Sequence, residues 1–496
     1  MTGTPSSVSV PEVVARARAA QPAWAALSVE ERVRRIAPLK DRVLDRAEAI
    51  AALLHDEIGK PEVEALLGEV LPSADLVDYW TANIVEMLDP EGVDLDARIY
   101  PGQSGTLERE ACGVVAVITP WNFPVAWPLR TLVPALLAGN AVVFKPSEVS
   151  PRSGTLVAEL FADLLPVGLL GLVQGSGEAG EALCLADVDL VRFTGSTATG
   201  RKVAHACAER LIPCSLELGG KDAAIVLADA NLDRAARGVV WGAMMNAGQS
   251  CASIERVYVV RSVGEAFTRK VRDVVAALRP GVDVGPLVTA AQRARVSRQV
   301  EAAKAAGARV LTGGAGAAGD EAKRDYAPTV VRVDDDASAL MREETFGPVL
   351  PIALVADENE AVERANASRY GLTASVWGRN RKKAQRVARR LRAGVVTINN
   401  HGFTAALPNA PWTGRGDSGW GITGSPLALH ALTRPRFVLF DGSRRKRDLW
   451  WYPYTPALRN AALAMTTLRS GTRGLFARVG ALFRLVGAIL ARARGM

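Results

Sequence analysis

The chain has few cysteines and fewer histidines: Cys112, Cys184, Cys207, Cys214 and Cys251, with four His in 496 residues. The cysteines are scattered, odd in number and never paired as CxxC, which excludes a disulfide framework and a zinc cluster, so no metal is expected. A reduced, cytoplasmic setting follows as the expectation. The opening segment MTGTPSSVSVPEVVARARAA lacks the apolar core of a signal peptide, so secretion is not indicated. The 45 Gly and 27 Pro are spread along the chain and form no repeat, which excludes collagen-like and low-complexity architectures.

What remains has the composition of a soluble globular protein, with 49% hydrophobic and 23% charged residues. Its length predicts two or three domains. The net charge of +8 is unevenly placed. Residues 441–496 hold eleven Lys or Arg against two Asp, a net +9, which leaves about −1 for residues 1–440. The basic balance therefore belongs to a tail, and a nucleic-acid surface on the main body is excluded.

Residues 11–60 read as helices: Ser28-Val-Glu-Glu31 has capping-box spacing, followed by the periodic Val33, Ile36, Leu39 and Val43. From residue 113 onward, short β-branched runs at 114–118, 141–144, 169–173, 190–193 and 223–227 alternate with helical stretches. A second series runs from about 237 to 410, with strands expected at 256–260, 330–333, 349–354, 373–377 and 395–399. This alternation predicts two α/β lobes with a site between them.

Gly248-Gln-Ser-Cys251 reads as a loop ending at a reactive thiol, although a lone cysteine is more often a small core residue. Its company shifts that balance. Pro120-Trp-Asn-Phe-Pro124 places an amide at a strand's carboxyl end, Glu217-Leu-Gly-Gly-Lys-Asp222 sets a carboxylate beside two glycines, and Glu343-Glu-Thr-Phe-Gly-Pro348 adds acids beside an aromatic turn.

These segments in this order, with Lys145-Pro-Ser-Glu148 and Phe193-Thr-Gly-Ser196, resemble the aldehyde dehydrogenase superfamily over about residues 11–440. The resemblance implies NAD(P)-dependent oxidation of an aldehyde to its acid, of the non-acylating type. In that chemistry the Cys251 thiolate attacks the carbonyl, Asn122 and the Cys251 N–H hold the oxyanion, and Glu217 activates the water that hydrolyses the thioester. The same matching implies that Lys145 and Glu148 meet the adenosine ribose, with Ser147 between them in the cofactor set, Gly195 and Ser196 the pyrophosphate, and Glu344 and Phe346 the nicotinamide ribose. Trp121 completes this cofactor set. A Glu at 148 would repel a 2′-phosphate, which favours NAD while leaving NADP open.

Gly175-Ser-Gly177-Glu-Ala-Gly180 fits GxGxxG after a strand-like run, but the motif is weak alone and is not expected to be a main dinucleotide contact. Gly195-x4-Gly200-Arg201-Lys202 nearly imitates a phosphate-binding loop, yet Arg stands where Lys is essential, so an NTPase is rejected.

The chain departs from the family pattern at Asn399-Asn-His401 and at Ala410-Pro-Trp-Thr-Gly414, where Thr413 replaces a usual Gly. Both segments are expected at the substrate entrance, which leaves the aldehyde's identity open. A second departure is the tail, with Arg444-Arg-Lys-Arg447, Trp450-Trp-Tyr-Pro-Tyr454 and a stretch from Gly474 to Met496. At helical spacing Leu475, Val479, Leu482, Phe483, Val486, Ile489 and Leu490 share a face, with Arg473, Arg478, Arg484 and Arg492 mostly on the other. Its longest apolar run, 485–491, is far below the roughly 20 residues of a bilayer span. Peripheral contact with a membrane's inner face and access to medium- or long-chain aldehydes are the resulting expectations; packing on a partner subunit or over the substrate mouth is the alternative.

The expected subunit has a dinucleotide-binding α/β domain over 1–218, interrupted by an arm near 97–112, and a catalytic α/β domain over 219–410. A return segment and oligomerisation strand occupy 411–440, and a basic amphipathic helical tail occupies 441–496. A homodimer or homotetramer is implied. A CoA-acylating dehydrogenase and a catalytically idle scaffold are the alternatives; Glu217 argues against the first, and the full set Cys251, Glu217 and Asn122 against the second.

Overall fold

The computed structural model describes residues 9–97, 99–100, 102–314, 324–443, 448 and 450–493. The basic run 444–447 and the Arg492 side chain lie outside the described residues. The chain divides into one compact unit of residues 1–89 and 109–436 and a second of 90–108 and 437–496.

The first unit holds two mainly parallel sheets, each with its own hydrophobic core. The first sheet contains β1 (Val114–Ile118), β2 (Ala141–Lys145), β3 (Leu170–Leu172), β4 (Leu190–Thr194) and β5 (Cys214–Glu217) in the order β3-β2-β1-β4-β5. β1 and β2 are buried along their whole length, because helices cover both faces of the sheet and every side chain must be apolar or satisfied. The order turns back between β1 and β4, which opens a crevice beyond their carboxyl ends. In register, Ile118 pairs with both Lys145 and Phe193, and Thr194 pairs with Glu217. The segments leaving these strands, 119–122, 146–148 and 195–196, therefore emerge at one edge.

The second sheet holds β6 (Asp222–Val226), β7 (Ile254–Val260), β8 (Arg309–Thr312), β9 (Thr329–Val333), β10 (Val349–Val355), β11 (Thr373–Trp377) and β12 (Val395–Ile398). Their order is β8-β9-β10-β7-β6-β11-β12, with β8 as an antiparallel edge strand. Every strand expected from the β-branched runs is present within two residues of its expected bounds. β5 and β8 had no such run to announce them: one is Cys-Ser-Leu-Glu and the other Arg-Val-Leu-Thr.

Ser28 caps the helix Val29–Ile36 through the Glu31 N–H at 3.2 Å, but the reciprocal half of the capping box is missing. The Glu31 carboxylate turns instead to Arg34 and Arg35. The apolar stripe continues across a break into a second helix, Leu39–Asp45, so Ile36, Leu39 and Val43 are all buried.

The strands Glu91–Val93, Gln103–Ala111 and Thr433–Asp441 form one sheet, the last two running across the boundary of the second unit, and two tail helices follow, Pro456–Arg469 and Leu475–Ala493. The sequence periodicity anticipated the second helix; the first is shorter in large apolar residues and was not expected. No described helix is long and apolar enough to cross a membrane.

Candidate active site

β5 ends on Glu217, and Leu218-Gly219-Gly220-Lys221 then carries the chain across to β6. A Cβ on Gly219 would lie 2.5 Å from Glu344 Oε1, and one on Gly220 would lie 2.5 Å from the Cys251 carbonyl oxygen. The pair of glycines is required because three segments meet here with no room for a side chain. Ser418 closes the same place, donating to the Gly219 carbonyl at 2.7 Å.

Cys251 follows the helix Leu232–Met244 and a turn in which Asn246 (φ 53°), Ala247 (φ 54°) and Gly248 (φ 69°) are all left-handed. For Asn and Ala this conformation costs about 1–2 kcal/mol each. Hydrogen bonds hold the turn in place. The Asn246 side chain donates to the Asn122 carbonyl at 2.9 Å and to the Gln249 carbonyl at 3.1 Å, and the Asn246 N–H donates to Glu64 at 2.9 Å. The Gln249 carboxamide oxygen takes the Val288 N–H at 2.8 Å.

Asn122 follows β1 and is buried, its amide donating to the Gln249 carbonyl at 3.1 Å. Its loop is anchored by a buried ion pair that no local motif announces. Lys60 Nζ reaches Glu69 Oε1 at 2.5 Å and the Asn122 carbonyl at 2.8 Å, and lies over the Phe123 ring at 4.1 Å. The other Glu69 oxygen accepts the Val125 and Ala126 N–H groups, and Glu69 itself sits in a π-helical turn, Leu66–Val70. Lys60→Met should cost about 3–5 kcal/mol of stability, because it leaves a buried carboxylate without its counter-charge. Replacing both partners, Lys60→Met with Glu69→Leu, should recover much of that loss. Calorimetric unfolding of the two variants checks this; a single variant as stable as the parent would refute it.

A second buried pair shapes the opposite wall. Lys221 Nζ donates to Glu255 at 2.6 Å and to Thr345 Oγ1 at 2.9 Å. Glu255 also accepts the Thr345 and Phe346 N–H groups, each at 2.7 Å, which fixes Phe346 with a φ of 55°. The Phe346 ring then meets Trp121 edge to face at 5.6 Å.

Two cavities flank Cys251. The smaller, about 190 Å3, is lined by Trp121, Asn122, Gly195, Ser196, Glu217, Glu344 and Phe346 among others. It therefore gathers eight of the eleven residues picked from the sequence, Cys251 included. Lys145, Ser147 and Glu148 do not line it; they follow β2, the neighbouring strand, with Lys145 Nζ 3.2 Å from the exposed Glu148 carboxylate. The larger cavity, about 720 Å3, is walled mainly by Leu67, Leu76, Phe123, Trp127, Trp241 and Trp412, and Cys251 lines it too. His401, from one of the departing segments, is also in this wall, with Nε2 held by the Ala252 carbonyl at 2.6 Å and burial lowering its pKa to about 4.

Burial pushes the Glu217 carboxyl up to about 8, with Arg192 and Arg130 pulling the other way, and neither carboxylate oxygen has a hydrogen-bond partner. Burial likewise raises Glu344 to about 7. The Cys251 thiol is raised by burial and by Asp222, Glu344 and Glu217 around it. The result is a thiol and an uncommitted carboxyl, both of them proton-retentive, next to an amide donor. Two imitations resolve differently: Arg201 of the apparent phosphate loop pairs with Asp417 at 2.9 Å, and the GxGxxG turn follows β3 at the sheet's edge, away from the crevice between β1 and β4.

The sequence pattern of the aldehyde dehydrogenase family matches residues 4–438. The chain belongs to the aldehyde dehydrogenase family. It is 38% identical over 454 residues to a Methylomonas 4,4'-diapolycopene aldehyde oxidase, covering 90% of this chain and 84% of that one. A Mycobacterium bovis protein named for NADP(+) succinate-semialdehyde dehydrogenase is 38% identical, covering 87% of this chain and 84% of that one. Betaine aldehyde dehydrogenase from Staphylococcus aureus, solved with NAD+, superposes with a TM-score of 0.84 at 29% identity, covering 90% of this chain and 89% of that one. In this dehydrogenase the residues that local sequence did not reveal are the supports, Lys60, Glu69, Asn246 and Glu255. Each also has a partner far off in the chain: Lys60 and Asn122 are 62 positions apart, and Glu255 and Thr345 are 90.

Proposed function

We propose that the protein oxidises a long, apolar aldehyde to its carboxylic acid with NAD, or with NADP, through a thioester on Cys251. The observation that carries this is the position of Cys251 in the walls of both a large apolar cavity and a smaller one where Asn122, Glu217 and Glu344 join aromatic side chains.

Once the Cys251 thiol has lost its proton to solvent, the thiolate adds to the aldehyde carbon, forming a C–S bond and leaving negative charge on the former carbonyl oxygen. One Asn122 amide N–H is engaged by Gln249, and the other is free to meet that oxygen together with the Cys251 N–H. Such donors are worth about 3–4 kcal/mol of barrier each. A nicotinamide dinucleotide, when bound, would supply the acceptor for the hydride lost from the same carbon, and a thioester on Cys251 would remain. Glu217 then takes a proton from water, the water oxygen adds to the acyl carbon, the C–S bond breaks, and acid and thiolate separate.

The cofactor's residues fit their task. The Glu344 carboxylate accepts the Gly220 N–H at 3.1 Å and retains acceptor capacity for ribose hydroxyls, and Phe346 lies beside it. Ser196 caps the helix Thr197–Glu209, whose N-terminus suits a pyrophosphate. Trp121 and Gly195 complete that wall, and Lys145, Ser147 and Glu148 would take the adenosine ribose. This assigns the lobe of residues 1–218 to the dinucleotide, the lobe of 219–410 to catalysis, and 411–440 with the arm near 97–112 to assembly as a homodimer or homotetramer. The same reading places the enzyme in the cytoplasm, at the inner membrane face through residues 441–496, where apolar aldehydes dissolve.

Rates of NADH or NADPH formation over a series of straight-chain aldehydes test the substrate class. Each buried methylene should raise kcat/KM about fourfold until the cavity is filled. Activity confined to short aldehydes or semialdehydes would remove the apolar-substrate reading, and product formed only with CoA would replace hydrolysis by acyl transfer.

A further inference from the structure

The two tail helices pack on each other through small residues, and this reverses the usual placement of an amphipathic stripe. Ala461 and Ala464 of the first and Ala481 and Ala488 of the second are buried. Arg478 of the second helix donates to the Leu468 carbonyl of the first at 3.0 Å. With the alanine face used for the hairpin, the large side chains turn away from it. Leu475, Phe476, Val479, Leu482, Phe483, Val486, Ile489 and Leu490 are all exposed, Phe476 at 92% and Phe483 at 74%. At 100° per residue they occupy an arc of about 140° along the whole helix. A helix in a soluble core buries such a stripe; here, among the described residues, it stays exposed.

Charge decides what does cover it. No Asp or Glu follows Asp448, whereas seven Arg do. A second copy of the tail would bring +9 against +9 across a two-fold interface, which is repulsive. Residues 1–440, at about −1, offer no compensating excess of acid. Trp450, Trp451, Tyr452 and Tyr454, which precede the hairpin, are exposed as well, and such side chains favour the boundary between headgroups and acyl chains.

We propose that the hairpin of Pro456–Arg469 and Leu475–Ala493 is an anionic-lipid-binding element that lies in the membrane interface with the 475–490 stripe inserted and the arginines among the headgroups. This deepens the membrane-side location given above and is independent of the chemistry at Cys251.

Flotation of the full-length protein with phosphatidylcholine vesicles, with and without phosphatidylglycerol, tests it, with turnover of a short soluble aldehyde measured on the same samples. The parent should float with the mixed vesicles far more than with pure phosphatidylcholine, and raising salt from about 0.1 M to 1 M should release most of it. Phe476→Ser with Phe483→Ser should abolish flotation. Arg473→Glu with Arg484→Glu should weaken it by at least fivefold for each arginine lost. All variants should keep the parent's rate on the soluble aldehyde, so failure of lipid binding and failure of the dehydrogenase reading are separate results. Equal flotation of the Ser variant and the parent would overturn the proposal. So would absence of flotation combined with a change of oligomeric state in that variant, which would place the stripe against a second copy.

Discussion

Cys251→Ala should lower kcat/KM for aldehyde oxidation by roughly 10^4-fold or more, in line with removal of a covalent nucleophile. No other cysteine can replace it. Cys184 and Cys207 are buried, and neither they nor Cys112 or Cys214 line either cavity. The substitution removes one sulfur atom at a wall shared by two open spaces, so the surrounding packing has little to lose. Dinucleotide binding, followed by fluorescence titration, should persist in the variant. A residual rate above about a tenth of the parent's would sink the thioester route, because a group that makes and breaks the covalent bond cannot be that dispensable.

Glu217→Gln should lower the steady-state rate by about 10^2–10^4-fold and leave a burst of reduced dinucleotide, since the amide cannot accept water's proton. The parent's pH profile carries the same information. In the proposed mechanism Glu217 works as the carboxylate, and burial raises its pKa to about 8, so kcat should climb as pH passes through about 8. The Gln variant should lack that rise. Stability runs the opposite way: the folded carboxyl holds its proton from 4.5 up to about 8 while an unfolded one has lost it, so folding weakens as pH climbs through that window. Glu217→Gln removes this penalty, so activity should collapse without loss of thermal stability. A flat parent profile between pH 6 and about 9 would remove Glu217 as the base.

How much of this was legible in the sequence depends on the range of the interaction. Strands such as Val114–Ile118 and Val349–Val355 are continuous apolar runs because both sheet faces are covered, and such runs are visible locally. Cys251, Glu217 and Asn122 were found by motif company, and the geometry gathers them round one cavity. The turn before Cys251 was not legible: Asn246 and Ala247 are left-handed only because Asn122, Glu64 and Gln249 hold them, and no local rule selects Ala there. The Lys60–Glu69 pair was equally silent, being an ordinary Lys and Glu until the fold removes water from both.

The walls of the two cavities have Phe123, Trp127 and Cys251 in common and, outside the segments around 120–130 and Cys251, come from different stretches of chain. Inheritance can therefore act on them separately. On the proposed reading, exchange of Leu67, Trp241, His401 or Trp412 would change which aldehydes are taken and leave the crevice beyond β1 and β4 as it is.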